Sequence, residues 1–446
     1  MLIRFIVSNF LSFGEEREFN MLASSLKTHK HHVYNAGKVD VLKAAAIYGA
    51  NGAGKSNLIK AIEYLQDIVV QGGIHKSVND KKFQLDKSYE KEPVSFEIEM
   101  SIDKKIYAYG VSLNDNVVTE EWLYESGVTT GDKLIFERKR TPDNKQAITV
   151  ARKYQKTQKQ KFLIELMAES LLKERELFLG KSEELKIEEI AAVRNHISQS
   201  IVIIHPGSKF QGLISHLTLS DNFKNFANEL LKTFDTGVAE LDVESVDFDK
   251  FFGEEDEKIK KELLDGIKDG KNILINTNGN AVLVTRENGK YIVKKVVSTH
   301  INAKGDKIVF DLVQESDGTQ RLLDFIPAFD GILQRDITFV IDEIDQSLHP
   351  ALLKALVHKI MADQSTKGQI IFTTHESNLL DLDIFRQDEI WFAEKEKLSG
   401  STQLYSLIEF KPRYDLDIRK GYLKGRFGAI PFLAHLEDLR WQAYDA

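Results

Sequence analysis

The chain contains no cysteine. That excludes disulfides and thiolate metal sites and fits a reducing, cytoplasmic setting. Proline is scarce at seven residues, and 42 % of the chain is hydrophobic against 29 % charged, the composition of a globular protein with a core rather than of a disordered chain. No apolar run approaches the roughly 20 residues needed to span a bilayer. The start, MLIRFIVSNF, alternates like a strand and has no small-residue cleavage site after it, so neither a secretory signal nor a membrane partner is expected. Excess positive charge is also missing. The net charge is −8, whereas chains that coat nucleic acid non-specifically are usually basic. Charge is uneven, however. Lys133 to Lys161 is rich in lysine and arginine, and Glu240 to Asp269 is acidic. Solvated faces account for most such runs, so direct nucleic-acid binding by the basic stretch is left open beside contact with an acidic protein.

What is present is more specific. Residues 49–56 read GANGAGKS, matching G-x-x-x-x-G-K-[ST] without a mismatch. An apolar, strand-like run ending at Tyr48 leads in, and a helical pattern (Leu58, Ile59, Ala61, Ile62, Leu65) leads out, which is the context this motif requires. Backbone N–H groups of Asn51, Gly52, Ala53 and Gly54, with Lys55, Ser56 and Asn57, are the candidate nucleotide-binding residues. Lys55 would reach the β and γ phosphates of ATP, and Ser56 would ligate Mg2+.

Length suggests two or three domains. Residues 1–150 read as the first half of an ATPase domain, with the phosphate loop and a β-rich lobe. Helical periodicity over 151–235 reads as an insertion suited to oligomerisation or partner binding. Residues 236–446 read as the second half. There a β-rich patch, with hairpin turns at Asn278–Gly279 and Asn288–Gly289, precedes strands alternating with helices. Ile337 to Glu343 is an apolar strand ending in two carboxylates. Asp342 would hold Mg2+ through water, and Glu343 would polarise the attacking water. Gln369 to Glu376 is a further strand that delivers His375 beyond its carboxyl end.

In order along the chain, GANGAGKS, ESDGTQR (Glu315 to Arg321), VIDE, DQSLHP and TTHE resemble the ABC ATPase heads of the SMC and OLD classes. The resemblance implies an α/β ABC-type P-loop fold: two lobes with mixed and mostly parallel sheet, plus a helical insertion. It also implies a trans site, in which Ser316 and Gly318 cap the γ-phosphate of a partner copy and His375 senses that phosphate. Glu315, Asp317 and Thr319 depart from the usual L-S-G-G-Q. The family's lobe-coupling glutamine, a further Mg2+ contact, is assigned to Gln84, with Gln66 and Gln71 as rivals. IVSNFLSF, TEEWLY, DEIWFAEK and YLKGRFGAIPFL extend the resemblance to the small bacterial ATPases called the AAA fifteen group, including the ATPases of PARIS-type anti-phage systems. That implies a head-to-head dimer within a larger homo-oligomer. It also implies a separate Toprim-type nuclease effector and a phage-encoded trigger protein, for which an acidic DNA mimic is a candidate. The alternative is an SMC-like ATPase acting directly on DNA.

Two features sit outside this scheme. The pairs Asp381/Asp383 and Asp415/Asp417 mimic a nuclease D-x-D motif but are read as turn and surface acids. His29–Lys30–His31–His32 invites a metal reading, set against an intervening ammonium, and is read as a loop near the nucleotide.

Overall fold

The computed structural model describes residues 1–127, 131–141, 143, 145–209, 212–253, 272–277, 280–414 and 416–430. The expected turn at Asn278–Gly279, much of the acidic stretch after Gly253, and Asp415 lie outside them. The chain forms two compact units. One comprises 1–205, 335–344 and 357–446; the other comprises 206–334 and 345–356.

Among the described residues the first unit holds two large sheets and a two-stranded one, Val33–Asn35 with Asp40–Leu42. A six-stranded sheet runs Ile201–Ile204, Thr338–Ile341, Gln369–Thr373, Ala44–Tyr48, Ile390–Lys395 and Thr402–Ser406. The first five strands are parallel, and the last is antiparallel. Its central strands read AAAIY, TFVI and QIIFT and are buried at every position, as expected where both faces of a parallel sheet are covered. The second sheet is an antiparallel array of seven strands built on Leu2–Ser8. The strands Val94–Ile102, Lys105–Asn114, Val117–Glu125 and Lys133–Arg140 follow one another in it. Gln369 joins the sheets. Fully buried, it accepts from Leu2 N–H and Thr338 Oγ1 and donates to the carbonyls of Leu2 and Leu42. A buried amide so well matched orders the junction, because any lost partner costs about 1–3 kcal/mol.

The helix Lys55–Gln71 buries Leu58, Ile59, Ile62 and Leu65 in the core of this unit. It ends at Gly72, whose φ of 71° gives the left-handed C-cap that only glycine adopts without strain. The α/β fold expected from sequence, with a mostly parallel sheet beside a second one, is the observed fold. One element differs. Ile201–Ile204 lies within the stretch read as helical, yet it is an edge strand, parallel to Thr338–Ile341.

The second unit is built on an antiparallel sheet in which Lys290–Ile301 pairs with Glu240–Asp247, Asn280–Glu287 and Lys307–Asp311. The helices Leu213–Leu219 and Asp221–Thr233 pack against the 18-residue helix Asp317–Gln334.

Candidate nucleotide-binding site

Strand order assembles the first half of the site. Thr338–Ile341, Gln369–Thr373 and Ala44–Tyr48 are adjacent and parallel, so whatever follows each strand emerges at the same carboxyl edge. Asp342 and Glu343 follow the first, His375 the second and the phosphate loop the third.

In the loop, Gly54 has a φ of 105°, and a Cβ there would fall 2.1 Å from Thr402 Oγ1, so no other residue fits. Gly52, at φ 76°, makes the second left-handed turn. Asn51 and Gly52 are exposed, and Ala53 is buried with its carbonyl accepting from Thr402 Oγ1. Lys55 is buried, and its ammonium lies within the curl of the loop, donating to the carbonyls of Gly49 (2.8 Å) and Ala50 (3.3 Å). A phosphate entering the loop would meet that cation and the helix N-terminus together.

Ser56 Oγ donates to Asp342 Oδ1 at 3.1 Å. Asp342, at 5 % exposure, also accepts from Thr373 Oγ1 at 2.6 Å. The same threonine hydroxyl accepts from the Glu343 N–H at 2.8 Å. A hydroxyl and a carboxylate converging in this way are hard oxygen donors that fit Mg2+ and its waters. Glu343 has a φ of 50°. A non-glycine residue in that region costs on the order of 1–3 kcal/mol and persists only where its surroundings enforce it. The Thr373 bond is one such constraint, and it fixes the backbone from which the Glu343 carboxylate projects.

Sequence reasoning missed Thr373, although its place two residues before His375 was a usable signal. It also missed Ser12 and Thr402. Ser12 Oγ accepts from Asn57 Nδ2 and pairs with Thr402 Oγ1, both at 2.8 Å, so Asn57 is engaged with the 9–14 turn beside the loop. His375 is exposed at the strand exit. Gln84 is exposed on a segment whose neighbour Phe83 is fixed by its N–H to Asn9 Oδ1. No described hydrogen bond ties Gln84 to Ser56 or Asp342. Of its rivals, Gln66 is occupied: its amide donates to the carbonyls of Ile197 and Ile201.

Ser316 and Gly318 lie in the other unit. Ser316 is exposed at the start of Asp317–Gln334, where its Oγ accepts the Thr319 N–H at 3.2 Å and pairs with Thr319 Oγ1 at 2.9 Å. This is helix capping. A Cβ on Gly318 would sit 3.0 Å from the Ser347 carbonyl. Glu315 is nearly buried and accepts from Ser298 Oγ and from His300 Nε2, the latter at 2.7 Å. The departure from the usual apolar residue therefore anchors the helix start to the strand Lys290–Ile301.

One sequence expectation changes. The histidine segment is not near the nucleotide. The Lys43 N–H bonds the His32 carbonyl immediately before the strand Ala44–Tyr48, so the segment sits at the amino end of the sheet, a strand length from the phosphate loop. In the basic stretch, Arg138 is buried at 1 % exposure against Glu121 and donates to the Glu176 carbonyl. Lys139, Arg140 and Lys153 pair with Glu137, Glu174 and Glu189.

A family model described as "AAA domain, putative AbiEii toxin, Type IV TA system" matches residues 44–177 and 193–381. No curated protein matches the chain. Solved structures similar to it include the SMC head domain from Thermotoga maritima, with TM-score 0.39 and 13 % identity, covering 91 % of this chain and 98 % of that one. An Smc head bound to the C-terminal winged-helix domain of ScpA has TM-score 0.46 and 14 % identity, with 92 % and 99 % covered. An Smc head with an extended coiled coil, bound to the C-terminal domain of ScpA from Pyrococcus furiosus, has TM-score 0.40 and 16 % identity, with 92 % and 97 % covered.

Proposed function

Because this chain belongs to the AAA-domain family described as putative AbiEii toxin, type IV TA system, we propose that it binds ATP with Mg2+, closes head to head with a second copy, and hydrolyses the nucleotide. The observation that carries this reading is the hydrogen-bonded chain Ser56–Asp342–Thr373–Glu343 beside Lys55. Lys55 and the loop N–H groups hold the phosphates. Ser56 and Asp342 would hold Mg2+, whose charge would offset that of the phosphates. Glu343 orients the attacking water, and His375 contacts the γ-phosphate. Ser316 and Gly318, at a helix N-terminus, complete the site of the neighbouring copy. Gln84 remains the candidate for coupling the 81–84 segment to the metal.

In the finer form of this proposal, the closed state belongs to a homo-oligomeric scaffold of an anti-phage system, which holds a separate Toprim-type nuclease and releases it when a phage protein is sensed. The motif resemblance supports that step. Direct action on DNA has less support, since Arg138, Lys139, Arg140 and Lys153 all have carboxylate partners.

The experiment is nucleotide binding and turnover of the purified chain. Glu343→Gln is expected to retain ATP and accumulate the closed pair while turnover drops at least ~100-fold, the scale of a lost catalytic base. Lys55→Ala is expected to lose ATP binding. Parent-like hydrolysis by Glu343→Gln would refute the role given to that carboxylate.

A further inference from the structure

His29, His31 and His32 form the one cluster of metal-ligating side chains found among the described residues, and they lie away from the nucleotide. With one donor nitrogen taken from each ring, the three nitrogens lie within 4.8 Å of one another. The rings are already gathered. His29 stacks on His32 with centroids 4.9 Å apart, and His31 meets His32 edge-on at 4.3 Å. His29 is held at a φ of 44° to achieve this, a conformation that is strained for a side-chain-bearing residue.

The surroundings are those of ligating histidines. His29 Nε2 meets the Leu382 carbonyl at 2.8 Å, His31 Nε2 meets the Met361 carbonyl at 3.0 Å, and His32 Nδ1 meets the buried Glu389 carboxylate at 3.0 Å. Tying one ring nitrogen to a carbonyl or carboxylate is how proteins fix the tautomer of a metal-bound imidazole and raise its basicity. Each imidazole has a second nitrogen; that of His32 faces the Met361 carbonyl as well, a contact that zinc would displace. A cavity of about 10 Å3 lined by His31, His32, Lys43 and Asp363 adjoins the cluster, roughly the space of one water. The Lys30 ammonium, which weighed against a metal in the sequence, is exposed. Lys43 and Arg386 do oppose a cation here. Glu389, Asp388 and Asp363 offset them, with Arg386 paired to Asp388 at 2.7 Å.

We propose that His29, His31 and His32 bind a single zinc-class divalent ion, with water as the fourth ligand, as a structural staple at the amino end of the parallel sheet. Tetrahedral zinc at about 2.0–2.1 Å from each nitrogen needs ligands about 3.3 Å apart, so nitrogens that now lie within 4.8 Å of one another close by up to about 1.5 Å on binding. The staple joins the 29–32 turn to Met361 and to the 382–389 segment that leads into the strand Ile390–Lys395. It contributes nothing to phosphate chemistry at the opposite edge.

The test is titration of the chelator-stripped full chain with Zn2+ against a chromophoric chelator, and with Co2+ followed by its tetrahedral absorption. One equivalent should bind at micromolar or lower concentration and raise the thermal midpoint, with or without ATP. His29→Gln and His31→Gln should each abolish the tetrahedral signal while ATP binding persists. Glu389→Gln, which touches no metal, should weaken zinc about 10–100-fold. Asp342→Asn, at the magnesium site, should leave the signal intact. No stoichiometric zinc binding overturns the proposal, as does a signal that survives both histidine substitutions or vanishes with Asp342→Asn. Should either histidine variant fail to bind ATP and so prove misfolded, the Glu389→Gln shift decides: an unchanged affinity overturns the proposal.

Discussion

At the scale of single residues, Thr373 concentrates more of the site's order than any residue to which the sequence assigned a role. Its one hydroxyl donates to Asp342 and accepts from the Glu343 N–H, so it sets both the metal carboxylate and the strained backbone of the candidate base. Thr373→Val keeps the shape and removes both bonds. The Glu343 N–H then loses its acceptor in a partly buried position, a cost of about 1–3 kcal/mol, and Glu343 is freed to relax from its φ of 50°. ATP binding, which rests on the loop and Lys55, should be nearly unchanged, while turnover falls about tenfold or more, in keeping with a displaced catalytic group. Equilibrium ATP binding and steady-state hydrolysis separate the two. Equal losses in both would mean that Thr373 supports the fold rather than the geometry of Glu343. Motif spacing made Lys55, Ser56 and Asp342 legible because these roles demand one residue type at one position. Thr373 stands inside the TTHE segment, but its role arises from two strands lying side by side, which the motif by itself does not record.

At the scale of elements, the start of the helix Asp317–Gln334 combines an exposed Ser316 with a Glu315 anchored on the strand Lys290–Ile301. A nearly buried carboxylate with two donors is tolerable; one deprived of a donor is not. His300→Ala leaves Glu315 with Ser298 alone and should destabilise by about 3 kcal/mol, whereas Glu315→Gln removes the charge and should cost nearer 1 kcal/mol. Urea midpoints of the two variants give the comparison, and the reverse ranking would mean that the pair does not restrain the helix start. Elements also show where sequence reading stops. The buried strands Ala44–Tyr48 and Gln369–Thr373 were plain as apolar runs beside turn signals. Ile201–Ile204 has four residues and helical patterns on both sides, and only its pairing with Thr338–Ile341 distinguishes it from a helix end. The histidine segment failed differently. Its proximity to the phosphate loop in sequence suggested proximity in space, but a parallel strand carries the chain across the whole sheet between them.

At the scale of the whole molecule, the candidate groups fall into two sets. Lys55, Ser56, Asp342, Glu343 and His375 belong to one compact unit; Ser316 and Gly318 belong to the other. If the second set serves a neighbouring copy, Lys55→Ala and Ser316→Ala are each inactive alone, but for complementary reasons. A mixed pair then has one site with both defects and one with none. Random pairing of an equimolar mixture makes half of all pairs mixed, so about a quarter of parental turnover should return, as two-fold symmetry requires. Recovery should appear only when both variants are present, and should rise with protein concentration because it depends on association. A mixture as inactive as its components, under conditions where light scattering detects pairs of the parent, would place Ser316 outside any shared site. The motifs named the members of both sets, but the sequence reading put Ser316 and Gly318 in the same 236–446 half as Asp342, Glu343 and His375. It could not foretell that the helix start carrying Ser316 is fastened through Glu315 to its own antiparallel sheet, because that bond joins a histidine and an acid which no known motif couples. The mixture experiment therefore tests the arrangement rather than the motif. A serine read correctly from its neighbours in sequence would still fail it if its sheet held it away from the partner copy.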